Sequence, residues 1–202
     1  GNVQTISTTV KPDGSYSVDV PSALVDGGYS VSVSVTDKAG NTATANDTGS
    51  VDSNVSISVD APDLTNDNTP TITGRTDAEA GQVVTVVITD AAGHMQTVST
   101  TVKADGTYSV DAATPLADGD YTAQATVSDK AGNSATATDP GTVDTTATIS
   151  VNAPDGNDST PTIAGQTNDV EAGQVVTIVI TDKDGNVQTI STTVKPDGSY
   201  SV

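Results

Sequence analysis

The sequence predicts an all-β protein made of tandem seven-stranded β-sandwiches in a linear array, and three observations carry that expectation. The 202 residues repeat with a period of 92: Gly1–Val18 returns unchanged as Gly185–Val202 and, lightly altered, as Gly93–Val110. Self-similarity at a fixed spacing marks an array of like units. Thr, Ser and Val abound while helix formers are scarce, which favours strands. Short alternating runs bounded by Gly, Asp and Asn supply the period of two that a half-buried strand requires.

Within one period seven strands are expected, at roughly 54–60, 70–75, 82–90, 94–103, 106–111, 120–129 and 133–143. The sixth is the clearest, with Tyr121, Ala123, Ala125 and Val127 alternating against Thr122, Gln124, Thr126 and Ser128. Its other copy is cleaner still, with Tyr29, Val31, Val33 and Val35 on one face. One face packs on a core and the other meets water. The third strand, Val83-Val84-Thr85-Val86-Val87-Ile88, reads as more deeply buried. Turn chemistry separates the runs at Ala104-Asp105-Gly106, Asp118-Gly119-Asp120 and Ala131-Gly132-Asn133. Seven short strands in about 92 residues suggest an immunoglobulin-like sandwich. Leu116 followed by Tyr121 is similar to the tyrosine corner of such domains, and each buried Tyr hydroxyl should find a backbone acceptor.

The units meet at a junction that occurs twice. Gly49-Ser50-Val51-Asp52-Ser53-Asn54 returns as Gly141-Thr142-Val143-Asp144-Thr145-Thr146, each copy a closing strand, an aspartate and the opening strand of the next unit. Cutting there gives three domains: 1–52 as the C-terminal part of one repeat, 53–144 as a complete repeat, and 145–202 as the N-terminal part of the next. Neither partial repeat is expected to be stable alone, so a continuing chain or a neighbouring molecule should complete each.

Composition narrows the function classes. With 26 acids against 7 Lys plus Arg, the net charge of −19 repels nucleic acid and anionic membrane. No run approaches the roughly 18 apolar residues of a membrane span. The chain has no Cys and a single histidine, His94, at a turn, which leaves almost no material for a nucleophile–base pair or a zinc site. Paired carboxylates could in principle cleave glycosides, but Trp and Phe, which would line a sugar cleft, are missing. The expectation is a protein that is not an enzyme and takes no small-molecule substrate.

The run Asn66-Asp67-Asn68-Thr69-Pro70-Thr71-Ile72-Thr73-Gly74, then Ala78-Glu79-Ala80-Gly81, Asp129-Lys130-Ala131-Gly132-Asn133 and Val143-Asp144-Thr145-Thr146, resembles the bacterial immunoglobulin-like repeats of giant adhesins. The resemblance covers the whole chain, with its motifs in order. It implies a type I-secreted, repeats-in-toxin adhesin on a Gram-negative surface, in which such repeats are extenders between an anchor and a distal ligand-binding tip. It also implies calcium at the junctions, neighbouring repeats as the partners, and a part in cell adhesion and biofilm. The nonapeptide calcium repeats of that toxin group are not present.

The acids point the same way. All but two of them are Asp, and most fall at turns. Calcium takes about six to eight oxygens from carboxylates and carbonyls. In a seven-stranded sandwich the incoming linker shares a pole with the loops after strands two, four and six. Asp52, Asp77, Glu79 and Asp129 are therefore the expected calcium ligands of the first junction, with Asp105 and Asn133 nearby. Asp144, Asp169 and Glu171 repeat the role at the second, and Asp37 is the loop ligand of the first partial repeat. Glu79 and Glu171 are the only glutamates and occupy equivalent places; a bidentate ligand explains the longer side chain, a solvated loop residue being the plainer reading. At the opposite pole Asp63, Asp67, Asp90, Asp118 and Asp120 could hold a second ion, though Asx-turns account for them as well. The rival to a calcium-stiffened spacer is a module whose loops bind a glycan, a protein or ice; near-identity of the copies favours the spacer.

Overall fold

The computed structural model describes residues 2–202, and among them there is no helix. The seven strands expected of the complete repeat are all present: β3 (Ile57–Asp60), β4 (Thr71–Thr76), β5 (Val83–Thr89), β6 (Met95–Thr101), β7 (Thr107–Asp111), β8 (Gly119–Ser128) and β9 (Ser134–Val143). They form two antiparallel sheets, ordered β3-β4-β7 and β6-β5-β8-β9. Ahead of them β1 (Gly27–Thr36) and β2 (Thr42–Val51) form a hairpin. Behind them β10 (Thr148–Ile149), β11 (Ala164–Asn168) and β14 (Ser199–Ser201) form one sheet, and β12 (Val175–Thr181) with β13 (Val187–Thr193) another.

The core between the two sheets is aliphatic. Ile72 faces Val84, Val86 and Ile88 of β5 and Ala123, Ala125 and Val127 of β8, with Leu116 and Val143 closing the ends. Strand β5 alternates more than the sequence suggests: Val84, Val86 and Ile88 are fully buried, whereas Val83 is 55% exposed. Only one face of its sheet has a sheet to pack against, so the apolar run buries every second residue. The first expected strand also starts later than residue 54. The backbone N–H of Ser56 donates to the Asp77 carboxylate at 2.7 Å instead of entering a ladder, so β3 begins at Ile57.

Tyrosines take the place of the missing Phe and Trp, and the three buried ones each use a glycine. Tyr108 on β7 lies opposite Gly74 on β4, Tyr121 on β8 opposite Gly141 on β9, and Tyr200 on β14 opposite Gly165 on β11. Across that glycine the hydroxyl reaches a carbonyl beyond the neighbouring strand. Tyr108 donates to Ser58 O at 2.6 Å, Tyr200 to Ser150 O at 2.7 Å, and Tyr121 to Pro62 O at 3.3 Å. The expected tyrosine corner differs on this point. Its hydroxyl would bond backbone a few residues upstream, but Tyr121 instead bridges to a segment of the opposing sheet.

Burial pushes the phenols of Tyr108 and Tyr121 up to about 12, that of Tyr121 with help from the charges of Asp139, Asp60 and Asp63. Because these folded values lie above the ordinary 10.0, the stability they carry is complete below that pH and is lost as pH rises towards 12. Alkaline unfolding should coincide with phenolate formation, followed by absorbance and circular dichroism together. Ionisation of Tyr108 with the strand signal intact would contradict this.

Candidate functional site

The pole reached by the incoming linker is built by three loops that hydrogen-bond to it or to one another. Asp77, just after β4, clasps the linker through Ser56, accepting from its N–H at 2.7 Å and from its hydroxyl at 2.9 Å. Those two donors, the N–H first, hold the Asp77 carboxyl below its ordinary value, against a smaller upward push from the Asp129 charge. Glu79 accepts from the Lys130 N–H at 3.1 Å, joining the loop after β4 to the loop after β8. Its own backbone N–H and then that of Lys130 lower its pKa.

The Asp129–Asn133 turn is the most densely hydrogen-bonded of these loops. Asp129 is buried; its Oδ1 accepts from Gly132 N and Asn133 N, both at 2.8 Å, and its Oδ2 from Asn133 Nδ2 at 2.8 Å. The Asn133 side chain, ahead of the turn amides, draws the Asp129 pKa down. The same Asn133 amide donates to Asp52 O at 3.1 Å, so the turn grips the linker directly. Asp105 lies on the next loop and is occupied by its own turn, accepting from Thr107.

The structure thus brings Asp52, Asp77, Glu79 and Asp129 to one pole, by the bonds just given. It does not bring their carboxylates together: among the described residues no three His, Asp or Glu side chains are close enough to hold one ion. In donor chemistry the set fits a hard cation, being all oxygen, with the Asp52 carbonyl included. Asp129 Oδ1 is filled by two N–H donors, whereas Asp129 Oδ2, both Asp77 oxygens and Glu79 Oε2 each accept one bond and keep a second lone pair; Asp52 and Asp77 are exposed.

At the second junction Asp144 donates its N–H to Thr65 O at 2.9 Å, and its carboxylate accepts from Thr146 N at 3.3 Å. Asp169 accepts from the hydroxyl of the same Thr146 at 3.4 Å, whereas Glu171 has no side-chain bond to this group. Asp169 stands in a left-handed conformation, φ 58. The cause is one extra residue: Thr167-Asn168-Asp169-Val170-Glu171 stands where Thr76-Asp77-Ala78-Glu79 stands in the complete repeat. Asp37 sits in a turn like that of Asp129, accepting from Ala39 N, Asn41 N and Asn41 Nδ2.

Two junction residues escaped the sequence reading. Asp26 accepts from the Ser53 hydroxyl at 2.7 Å and from Asn54 Nδ2 at 3.1 Å, and these bonds, Ser53 first, lower its pKa. Asp118, one period later, accepts from the Thr145 hydroxyl at 2.8 Å. Asp118 lies at the opposite pole of its own sandwich, as expected, and that pole also faces the next linker. The legible signal was the pair of equivalent Asp-Gly steps, Asp26-Gly27 and Asp118-Gly119. Asp90 at that pole is buried and saturated by Ala92 N, His94 N and the His94 ring, as an Asx-type turn requires.

The depressed pKa of Asp77 fixes a sign. Its clasp on Ser56 contributes stability that is present above the ordinary value of 3.8 and is lost as pH falls through the lower folded value. The Ser56 amide resonance should therefore hold its position until the solution is more acidic than that value. Movement of this amide at higher pH would contradict the assignment.

A family match agrees with this architecture. The family described as bacterial Ig-like domain matches residues 1–53 and 45–145, two stretches that overlap across the first linker. A solved tetra-tandem repeat from the extending region of a large adhesion protein is 36% identical with a TM-score of 0.45, covering 89% of this chain and 48% of that one. Another, from work on host cell surface retention of a 1.5-MDa bacterial ice-binding adhesin, is 30% identical with a TM-score of 0.40, covering 88% and 63%. A third, a calcium-stabilised adhesin that helps an Antarctic bacterium reach out and bind ice, is 31% identical with a TM-score of 0.41, covering 96% and 52%. The chain spans about half to just under two thirds of the length of these relatives. No curated protein matches the chain. By the match to more than half of its length, the chain belongs to the bacterial Ig-like domain family.

Proposed function

We propose that this chain is a segment of a calcium-rigidified stalk, an extender that projects a distal ligand-binding region of an adhesin from a bacterial cell surface. Its role on this reading is structural and extracellular, with no catalysis, and its partners are neighbouring repeats of the same chain. Residues 53–144 form the complete repeat, 1–52 and 145–202 being parts of its neighbours. The observation that carries the reading is the grip on the linker from both units: Asp26 of the preceding unit holds Ser53 and Asn54, while Asn133 and Asp77 of the following unit hold Asp52 O and Ser56. A linker fixed on both sides by hydrogen bonds transmits orientation from one unit to the next, which is what a spacer needs.

Asp52, Asp77, Glu79 and Asp129 would hold calcium at the first junction, and Asp144, Asp169 and Glu171 at the second. The ion, when bound, supplies positive charge that offsets carboxylate repulsion and joins the two sides of the linker. The chain's own contribution is to keep the ligands anionic, as the lowered pKa values of Asp77, Glu79 and Asp129 do, and to present them from short loops. Exposed Asp52 can rotate about its side-chain torsions without disturbing the core, and Asp77 can offer the remaining lone pair of each oxygen while it holds Ser56.

Equilibrium dialysis against calcium tests the assignment. Extracellular modules often bind with Kd of about 10⁻⁴–10⁻³ M, and binding in that range is expected for the full chain. Glu79→Gln should weaken the first junction's site by about tenfold, the scale on which a loss of about 1.4 kcal/mol is read, and leave the sandwich folded. A chain that takes up no calcium at millimolar concentration, or a Glu79→Gln chain that binds as the parent does, would contradict the ligand assignment.

A further inference from the structure

The opening segment of the complete repeat changes sheets as it crosses the sandwich. β3 pairs with β4 in one sheet, and Thr65, just beyond it, pairs in parallel with Val143 of β9 in the other. The strap 57–65 and strand β9 therefore run in the same direction. Both start at the pole of the incoming linker, where Asn133 holds Asp52 O, and both finish at the outgoing pole, where Asp118 holds Thr145.

Hydrogen bonds fasten the strap to the β8–β9 hairpin along the way. Asp139 Oδ2 accepts from Ala61 N at 2.8 Å, and the Tyr121 hydroxyl donates to Pro62 O. Thr65 N donates to Thr142 O at 3.0 Å, and Asp144 N to Thr65 O at 2.9 Å. The approach is close, since a Cβ on Gly141 would collide with Pro62 O. Asp139 is the unexpected member of this set. It stands half-buried on the face of β9 that also carries Ala135, Ala137 and Val143, where alternation calls for an apolar residue. Its carboxylate serves the Ala61 N–H, on a residue 2% exposed, just past the end of β3.

We propose that the strap and β9 form a mechanical clamp, whose bonds are loaded together in shear when tension pulls on the two linkers. Tension draws the strap back towards the incoming pole and β9 forward towards the outgoing pole, so the parallel pair is made to slide. Bonds between neighbouring strands lie across the strands, and sliding strains them all at once. Peeling from one end would meet them in turn. Antiparallel end strands would bring both linkers to one pole and be peeled by the same tension. Asp139 is a positioning residue of the clamp, holding the strap where the β3–β4 ladder ends. Forced unfolding is governed by the unfolding rate rather than by equilibrium stability, so the clamp acts on a quantity that ordinary denaturation does not read.

The inference rests on the stalk reading only for the direction of the load. It needs no metal, so measurements in chelator separate its failure from that of the calcium assignment. The chain has no Cys, which lets optical-tweezer handles be placed in the full chain at chosen exposed sites. Ser53→Cys with Ala147→Cys loads the complete repeat along its axis. Asn66→Cys with Ala147→Cys puts both handles at the outgoing pole and peels the strap from β9. At a force that opens the peeled repeat within seconds, the axially loaded repeat should stay closed. Asp139→Ala should speed axial unfolding at constant force by about fivefold, the scale of one hydrogen bond. It should leave the peeling force unchanged, because peeling is resisted first at Thr65. Asp139→Asn, which keeps an acceptor oxygen, should restore axial resistance. Equal forces in the two geometries of the parent sequence, or an Asp139→Ala chain weakened alike in both, would overturn the clamp.

Discussion

Replacing Tyr108 by alanine is expected to lower the stability of the complete sandwich by about 3–5 kcal/mol, the range for removing a large buried aromatic side chain. The ring is 1% exposed and belongs to the central cluster with Ile72, Val84 and Val86. Its hydroxyl is also the tie between β7 and β3, crossing β4 to reach Ser58 O. Tyr108→Phe separates the two contributions. It keeps the ring and loses one neutral hydrogen bond, a change of about 1 kcal/mol. Natural domains have only about 5–15 kcal/mol in hand, so the alanine variant should populate unfolded protein at modest denaturant while the phenylalanine variant should not. Chemical denaturation followed by circular dichroism checks both; equal losses in the two variants would mean that the ring contributes nothing by packing.

The second large effect is at the glycine beneath that ring. A Cβ on Gly74 would collide with the Ser58 carbonyl oxygen and with the phenol of Tyr108. The first obstacle is backbone of the adjacent strand and cannot turn aside. Overpacking in a tight core costs about 1–3 kcal/mol and occasionally more. Gly74→Ala should lie at or beyond the upper end, because the clash falls on the β3–β4 ladder. For a unit of this size about 3 kcal/mol corresponds to a fall in Tm of roughly 12–24 °C. The double variant Gly74→Ala with Tyr108→Ala relieves the ring clash and leaves the backbone clash. Its loss should thus be smaller than the sum of the single losses, as residues in contact usually show. Strict additivity would remove the idea that the two are one packing unit.

Both residues show where the sequence speaks and where it does not. Alternation along residues 120–129 and 133–143 locates β8 and β9 almost to the residue, because a sheet with one wet face writes its period into the chain. Gly74 and Gly141 are silent at that level: a glycine inside a strand pattern weakens the prediction, and its reason, a tyrosine directly across, appears only once the register is known. β3 starts later than propensity predicts because a side chain, Asp77, takes the amide that would otherwise join the ladder.

The junction was legible in part, for a similar reason. Turn loops rich in Asp and the repeat of Asp52 as Asp144 could be read from spacing alone; in the structure Asp77 bonds the linker, Asp129 orients the Asn133 amide that also bonds it, and Glu79 ties their two loops together without touching the linker. The bonds of Asp26 and Asp118 to the linker are not legible within one sandwich. A stacked pair of units joins opposite poles, so an acid on the far loop of one belongs to the linker of the next. The spacing of the carboxylates depends on side-chain torsions, which no sequence pattern encodes.

Carboxylates set around a linker are the centre of this account, and small-angle scattering of the full chain with calcium and with chelator measures their effect most directly. With calcium, the maximum dimension should increase and the distance distribution should sharpen, as joints loosened by like charges become fixed. The same maximum dimension and the same distribution in both solutions would contradict a calcium-stiffened stalk.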